Sequence, residues 1–314
     1  MIGYNILNLL SLFKYQAEKI KKTPRYLLTK RVETYLQKPC PNLDENDRKQ
    51  FLKFLQYHLV SVFNYPYMVK YRRRKVKVLS DEERGLPFVL TEKGHRLYFK
   101  KGMRKGEIAS LYNSLCAEQD DLSPHNYDFD KLTITDETVF ADIGSAEGNF
   151  SLKYVDEIKK LYLFETDAEW IEALEATFYP WKDKVTIVNK YVSDRDEGEY
   201  ISLDTYFLNR EKPTLLKLDV EGAEKSVLSG ANQTLNDGID DILLCTYHRN
   251  GDTQYFSEWL RNRNYDIRTS NGYMLYLWEK PNYSLEPPFD FRRGLIHARL
   301  KSLKNENKNK KSED

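Results

Sequence analysis

The chain has 314 residues, 40% hydrophobic and 31% charged, which is enough to bury a core of its own. Its 49 basic and 48 acidic side chains leave a formal charge of +1, which excludes the basic footprint of a dedicated nucleic-acid binder. Three scattered cysteines, Cys40, Cys116 and Cys245, supply neither a disulfide framework nor a zinc cluster, so a reducing, cytoplasmic setting is expected and no metal is assigned.

In chain order, Ile2, Ile6, Leu9, Leu10 and Phe13 recur at helical spacing. The apolar start from Ile2 to Phe13 is too short to cross a bilayer and lacks the basic flank and cleavage site of a signal peptide, so no membrane span is expected. A second helix is predicted from Asp44, a capping residue, to Phe63, on the period of Phe51, Phe54, Leu55, Leu59, Val62 and Phe63. Residues 1–80 therefore read as a helical extension. Its apolar stripes can dock on the rest of the chain or on a second copy, which leaves a homo-oligomer open. The basic run Lys70–Lys77 reads as a solvated face.

Residues 81–290 read as the main domain. Within 87–100, PFVLT and RLYFK flank EKGH, a hairpin whose turn Gly94 can take positive φ. From 118 to 280 short apolar runs alternate with helical segments. Strands are predicted at Thr138–Ile143, Leu161–Phe164, Val185–Val188, Leu215–Leu218 and Ile242–Cys245, with helices from about Gly148 and Ala168. The stretch SVLSGANQTL reads as a helix with Val227, Leu228, Ala231 and Leu235 on one face and Gly238 as its terminator. Tyr273–Trp278 reads as an antiparallel edge strand, and 291–314 as a basic, disordered tail that includes the run Lys301–Lys311. The fold class is α/β: a doubly wound, Rossmann-like, mostly parallel sheet. The 23 tyrosines suit sugars and planar ligands, or simple packing.

Chemistry concentrates in two strings. In VFADIGSAEGNF an apolar strand runs into Asp142 and a turn with Gly144 and Gly148, at the strand end where open α/β sheets bind ligands. Ala146 stands where a dinucleotide fold needs glycine against the pyrophosphate, while Glu165, in LFETD, has the placement for gripping ribose hydroxyls. An adenosine without a diphosphate satisfies both. No lysine-bearing phosphate loop is present. In LLKLDVEGAE, Lys217, Asp219, Glu221 and Glu224 lie at and just past a strand end; charges within such a run are costly unless paired or used.

DIGSAEGNFS, LFETD, ISLDTY at Ile201–Tyr206 and LLKLDVEGAEKSVLSGA resemble, in order and spacing, the FkbM-type S-adenosylmethionine-dependent methyltransferases, over about Glu118 to Trp278. EQDDLSPHNY also looks like a segment preceding the first strand in part of that family. The resemblance implies transfer of the methyl group of S-adenosylmethionine to a hydroxyl of a sugar, a polysaccharide precursor or a related metabolite. It implies that Asp142, Gly144, Ser145, Glu147, Gly148 and Asn149 line the cofactor, that Glu165 holds its ribose, and that Asp194, in the VSD run, contacts the adenine amine. Asp219 and Glu221 would lie near the sulfonium and the acceptor, beside Lys217, with Glu118 and Gln119 orienting the ligands.

Methyl transfer is an in-line displacement that needs a base for the acceptor proton. His248, in LLCTYHRN, is the expected base because imidazole titrates near neutrality; the competing reading is a surface loop histidine. His125, in SPHNY, is the second candidate. Many relatives place a carboxylate in the fifth strand near the histidine, where this chain has Cys245 and Thr246, and Cys245 in an apolar strand reads as inert packing. Two other classes stay open: a scaffold that binds S-adenosylmethionine without turnover, and a nicotinamide-dependent sugar oxidoreductase, which Ala146 disfavours.

Overall fold

A computed structural model describes residues 15–19, 22–72, 74–277 and 287–301. The chain divides into two units, one of Met1–Lys131 with Thr269–Leu295 and one of Leu132–Arg268 with Ile296–Asp314. The helix expected at Ile2–Phe13, Trp278 and the basic run beyond Lys301 lie outside the described residues. Among the described residues no helix is long and apolar enough to cross a membrane.

In the first unit residues 15–19 are helical, and α1, Pro24–Tyr35, follows, where Pro24 takes the first turn and the Thr23 hydroxyl accepts the Tyr26 N–H at 3.3 Å. Helix α2, Glu45–Leu55, follows Asp44, which sits at the cap position without a capping bond and instead pairs with Arg293 at 2.8 Å. The helix stops at Leu55, not Phe63, although Leu59, Val60 and Phe63 remain buried. The reason lies in α1. Thr29 Oγ1 accepts the Val60 N–H at 3.0 Å and Arg25 Nε donates to the Val60 carbonyl at 3.0 Å, so side chains satisfy a non-helical backbone there. A short helix α3, Met68–Tyr71, leads to strands β1, Leu79–Asp81, β2, Leu86–Leu90, and β3, Arg96–Tyr98, then to α4, Lys105–Glu118. β2 and β3 are the expected hairpin, with Phe88 opposite Tyr98 and Gly94 at φ 82°; β1 adds a third antiparallel strand that the sequence did not signal.

The second unit carries β4, Val139–Ile143; α5, Asn149–Tyr154; β5, Lys160–Phe164; α6, Ala168–Phe178; β6, Val185–Val188; and a small pair, β7, Tyr191–Val192, with β8, Tyr200–Ile201. It continues through α7, Leu203–Phe207; β9, Leu215–Leu218; α8, Glu224–Ser229; α9, Asn232–Asn236; β10, Asp241–Cys245; α10, Asp252–Arg261; and β11, Tyr265–Thr269. The chain then returns to the first unit as β12, Met274–Tyr276, and β13, Asp290–Arg292, before β14, Leu295–Leu300.

The seven-stranded sheet has the order β11-β14-β10-β9-β4-β5-β6. Strands β6, β5, β4, β9 and β10 are mutually parallel, and the order reverses between β4 and β9, the switch point of a doubly wound fold. β14 runs against β11, since Ser270 N donates to Leu295 O and Lys301 N to Asn264 O, each at 3.0 Å. β4, β9 and β10 are buried throughout, as expected of parallel strands covered on both faces. Tyr162, Tyr206 and Tyr265 are buried with them, so these tyrosines are packing pieces.

Three expectations are corrected. Tyr273–Trp278 is not the edge of the main sheet: β12 pairs antiparallel with β13, and the sheet's edges are β11 and β6. The tail from 291 is not wholly without structure, because β14 inserts between β11 and β10 with Leu295, Ile296 and Ala298 buried. SVLSGANQTL forms two short helices instead of one. Its Val227, Leu228, Ala231 and Leu235 are buried as expected, but a Cβ on Gly230 would fall 2.1 Å from the Ser193 carbonyl oxygen, and the Gly230 carbonyl turns aside to accept the Asp204 N–H.

Candidate active site at the carboxyl ends of the parallel strands

The turn after β4 is compressed against its neighbours. Gly144 has φ 80°, and a Cβ there would fall 1.9 Å from the Asp219 carbonyl oxygen, so glycine alone lets this turn lie against the end of β9. Gly144 N and Ser145 N both donate to the Phe164 carbonyl, at 3.0 and 3.1 Å. Gly148 has φ 76° and is backed by Phe178 and Leu174 of α6. The turn is thereby pinned to β5, β9 and α6 together.

Beneath it lies a buried ion pair. Asp142 and Lys217 face each other across the β4–β9 register, with Nζ 2.7 Å from Oδ1 and side-chain exposures of 1% and 5%. Ser151 Oγ donates to Asp142 Oδ2 at 2.6 Å, and Lys217 Nζ also donates to the Gly144 carbonyl at 3.0 Å. Burial alone would lower the Lys217 pKa, but the Asp142 and Asp219 carboxylates outweigh it and hold it above the ordinary lysine value. Asp142, expected on the cofactor side, and Lys217, expected among the catalytic groups, are thus paired with each other next to the turn. Ser151 joins the pair and was not singled out from the sequence.

The other polar groups around the turn differ in exposure. Glu165 is half-buried, its Oε2 accepting the Ala146 N–H at 2.9 Å and its Oε1 the N–H groups of Thr166 and Asp167 at 2.7 and 2.8 Å. Ala146 holds φ 45°, a strained value for a residue with a side chain, and so aims its N–H at Glu165. Glu147 is buried, which raises its pKa to about 7 against the pull of its own and the Asn149 N–H groups. Asn149 is half-buried at the start of α5. Asp194 is exposed just past β7, accepting from Ser193 Oγ at 3.0 Å.

The second charged group lies where β9 and β10 end. His248 Nδ1 is 2.8 Å from Glu224 Oε1, and both side chains are almost wholly buried, at 4% and 1% exposure. The same Glu224 oxygen accepts the N–H groups of Val220 and Gly222, each at 3.2 Å. On the other side of the ring, Nε2 stands 3.5 Å from Asp219 Oδ1 and 3.5 Å from Glu221 Oε2. Burial lowers the His248 pKa, but the hydrogen bond to Glu224 and the charges of Asp219, Glu224 and Glu221 outweigh it, so the pKa lies above 6.5. Glu221 is 91% exposed and holds φ 52°, a second strained residue at a strand end. His248 is thus no surface histidine. Glu224, which the sequence placed in the charged run without a role, is its anchor. Cys245 is fully buried in β10.

Three expected site residues, Glu118, Gln119 and His125, belong to the other unit. Glu118 ends α4, and the Gln119 side chain next to it donates to the His125 carbonyl at 3.1 Å and accepts the Tyr127 N–H at 3.3 Å. His125 is buried with its ring edge-on to Tyr127, centroids 5.1 Å apart.

Residues 124–267 match the methyltransferase FkbM domain. No curated protein matches the chain. Among solved structures it is similar to a methyltransferase FkbM from Methylobacillus flagellatus KT, at 15% identity over 62% of this chain and 55% of that one, with a TM-score of 0.42. It is also similar to precorrin-6y C5,15-methyltransferase from Geobacter metallireducens GS-15, at 15% identity over 54% and 84% of the two chains and a TM-score of 0.38. A third is TrmK from M. capricolum with S-adenosyl-homocysteine, at 11% identity over 54% and 65% and a TM-score of 0.36. The alignment thus spans just over half the length of the first of these. Residues 124–267, which carry the paired motif strings and most of the parallel sheet, are thus the part of this chain that matches the methyltransferase FkbM domain.

Proposed function

We propose that the chain is an O-methyltransferase that moves the methyl group of S-adenosylmethionine to a hydroxyl of a sugar, a polysaccharide precursor or a related metabolite. The observation that carries this reading is the Glu224–His248 pair, with Asp219 and Glu221 on the far side of the ring, beside a glycine turn that lacks a diphosphate cradle.

The residues present fit the donor. Ala146 keeps a Cβ where a pyrophosphate would need glycine, and Glu165 Oε2 accepts only one backbone bond, which leaves it room to accept a ribose hydroxyl. Ser145, Glu147, Asn149 and the exposed Asp194 complete the wall along which the adenosine and methionine parts would lie. Asp219, Glu221 and Glu224 concentrate negative charge, which suits a cationic sulfonium. When bound, S-adenosylmethionine supplies a methyl carbon activated by that sulfonium.

The chain's own task is to align an oxygen and remove its proton. His248 Nε2 takes the acceptor proton, while Glu224 fixes the ring through Nδ1 and stabilises the imidazolium that forms. Asp219 and Glu221 bracket Nε2 and orient the incoming hydroxyl. Because these carboxylates raise the His248 pKa, the neutral imidazole that acts as base accumulates only above 6.5, and turnover rises with pH through that raised value. A cytoplasmic setting goes with this reading, as few and scattered cysteines stay reduced there.

The test is transfer of a labelled methyl group to a panel of hexoses and hexose conjugates. Label recovered on a hydroxyl oxygen supports the reading. Donor binding with no transfer to any hydroxylated acceptor would instead make the chain a binding scaffold.

A further inference from the structure

The first unit has a cavity of about 670 Å³ within itself, whose wall includes Arg25, Tyr71, Arg72, Ser110, Asn113 and Ser114. Its two arginines are held by adjacent main-chain carbonyls: Arg25 Nε donates to Val60 O at 3.0 Å and Arg72 Nη2 to Leu59 O at 3.3 Å. Neither forms an ion pair with a carboxylate among the described residues, Glu118 on the same wall included. In the same unit Arg48 pairs with Glu45, Arg74 with Glu92, Arg96 with Asp81, Arg104 with Glu107, Arg292 with Asp290 and Arg293 with Asp44. Arg25 and Arg72 are the departure from that pattern, and they turn toward one hollow.

Their charges are felt locally. Burial and the neighbouring Arg25 push the Arg72 pKa down to about 10, and Arg72 adds to the burial that lowers His58 to about 4. Arg72 is hemmed in by protein yet keeps an exposed surface, which is the situation of a side chain on a concave wall. Two like charges so placed are unfavourable unless an anion joins them.

Another part of the lining asks for a hydroxyl. Ser110, Asn113 and Ser114 share one face of α4 by their spacing. Asn113 Nδ2 donates to the Arg74 carbonyl at 2.9 Å, which fixes the amide, and leaves Oδ1 buried with no donor.

We propose that this cavity binds a small hydroxylated anion, its phosphate or carboxylate held by Arg25 and Arg72 and a hydroxyl donated to Asn113 Oδ1. The site lies within one unit and stands independently of the methyl-transfer reading.

The experiment is calorimetric titration of the full chain with a hexose phosphate, a hexuronate, inorganic phosphate and an uncharged hexose. The phosphate-bearing or the carboxylate-bearing sugar binds saturably, which also tells the two anions apart; inorganic phosphate binds more weakly and the uncharged hexose not at all. Affinity falls with added salt. Arg72→Gln and Arg25→Gln each lower it by about tenfold or more, whereas Arg96→Gln leaves it unchanged. Asn113→Ala weakens the sugar anion and spares inorganic phosphate. Circular dichroism and an unchanged melting temperature identify the variants that remain folded. Absence of saturable binding by every anion, or equal binding in folded Arg25→Gln and Arg72→Gln variants, overturns the proposal.

Discussion

Two charged groups sit at the same end of one sheet and have opposite characters. Asp142 and Lys217 close on each other, with Ser151 donating to Asp142 and the Gly144 carbonyl accepting from Lys217. Glu224 and His248 are as deeply buried, but the far side of the ring looks toward Asp219 and the exposed Glu221. Burial therefore does not separate structural from chemical charge in this domain. What separates them is that Asp142 and Lys217 close on each other, whereas the His248 ring reaches past Glu224 toward an exposed carboxylate, Glu221.

The largest expected effect falls on the closed pair. Lys217→Met strands a buried carboxylate and should cost about 3–5 kcal/mol of stability, read from the denaturation midpoint, while Lys217→Met with Asp142→Leu recovers most of it. A folded Lys217→Met protein of unchanged stability that has lost only turnover would move Lys217 to the chemical side. His248→Ala should lower turnover by about 10²–10⁴-fold in the folded protein, with donor affinity nearly unchanged. A variant that loses donor binding instead would make His248 part of the cofactor wall. Glu165→Ala should weaken donor binding by about tenfold, measured by titration, because it removes both the ribose acceptor and the Ala146 tie.

The smallest effect is the most diagnostic. Glu224→Gln removes a charge that raises the His248 pKa, so the pH profile of turnover should move to lower pH, with Glu224→Asp restoring part of the shift. The stability signature has a fixed sign. A folded-state pKa above the ordinary 6.5 means the ionised pair stabilises fully below about pH 6.5 and loses that contribution as pH rises through the higher folded value. A profile that Glu224→Gln leaves in place would leave Glu224 a purely structural neighbour.

Much of this was legible in the sequence, for stated reasons. Strands β4, β5, β9 and β10 are covered on both faces, so they read as apolar runs, and Asp142 and Lys217 stand out within two of them. That these two satisfy each other depends on the β4–β9 register, which no local pattern contains. β14 was missed because His297 and Arg299 make LIHARL look like polar tail; both are bound by Asp241 of β10, at 2.6 and 2.8 Å. The end of α2 was missed for a similar reason, since Thr29 and Arg25 settle the backbone of Val60 from another helix. Glycine and strand-end signals are local, whereas the partner of a buried charge is not.

The most direct test of the central claim is calorimetric titration of the full chain with S-adenosylmethionine, its demethylated product and NAD. The account predicts saturable binding of the first two and none of NAD, with Glu165→Ala weakening both. Binding of NAD, or no binding of S-adenosylmethionine by the folded chain, would contradict it.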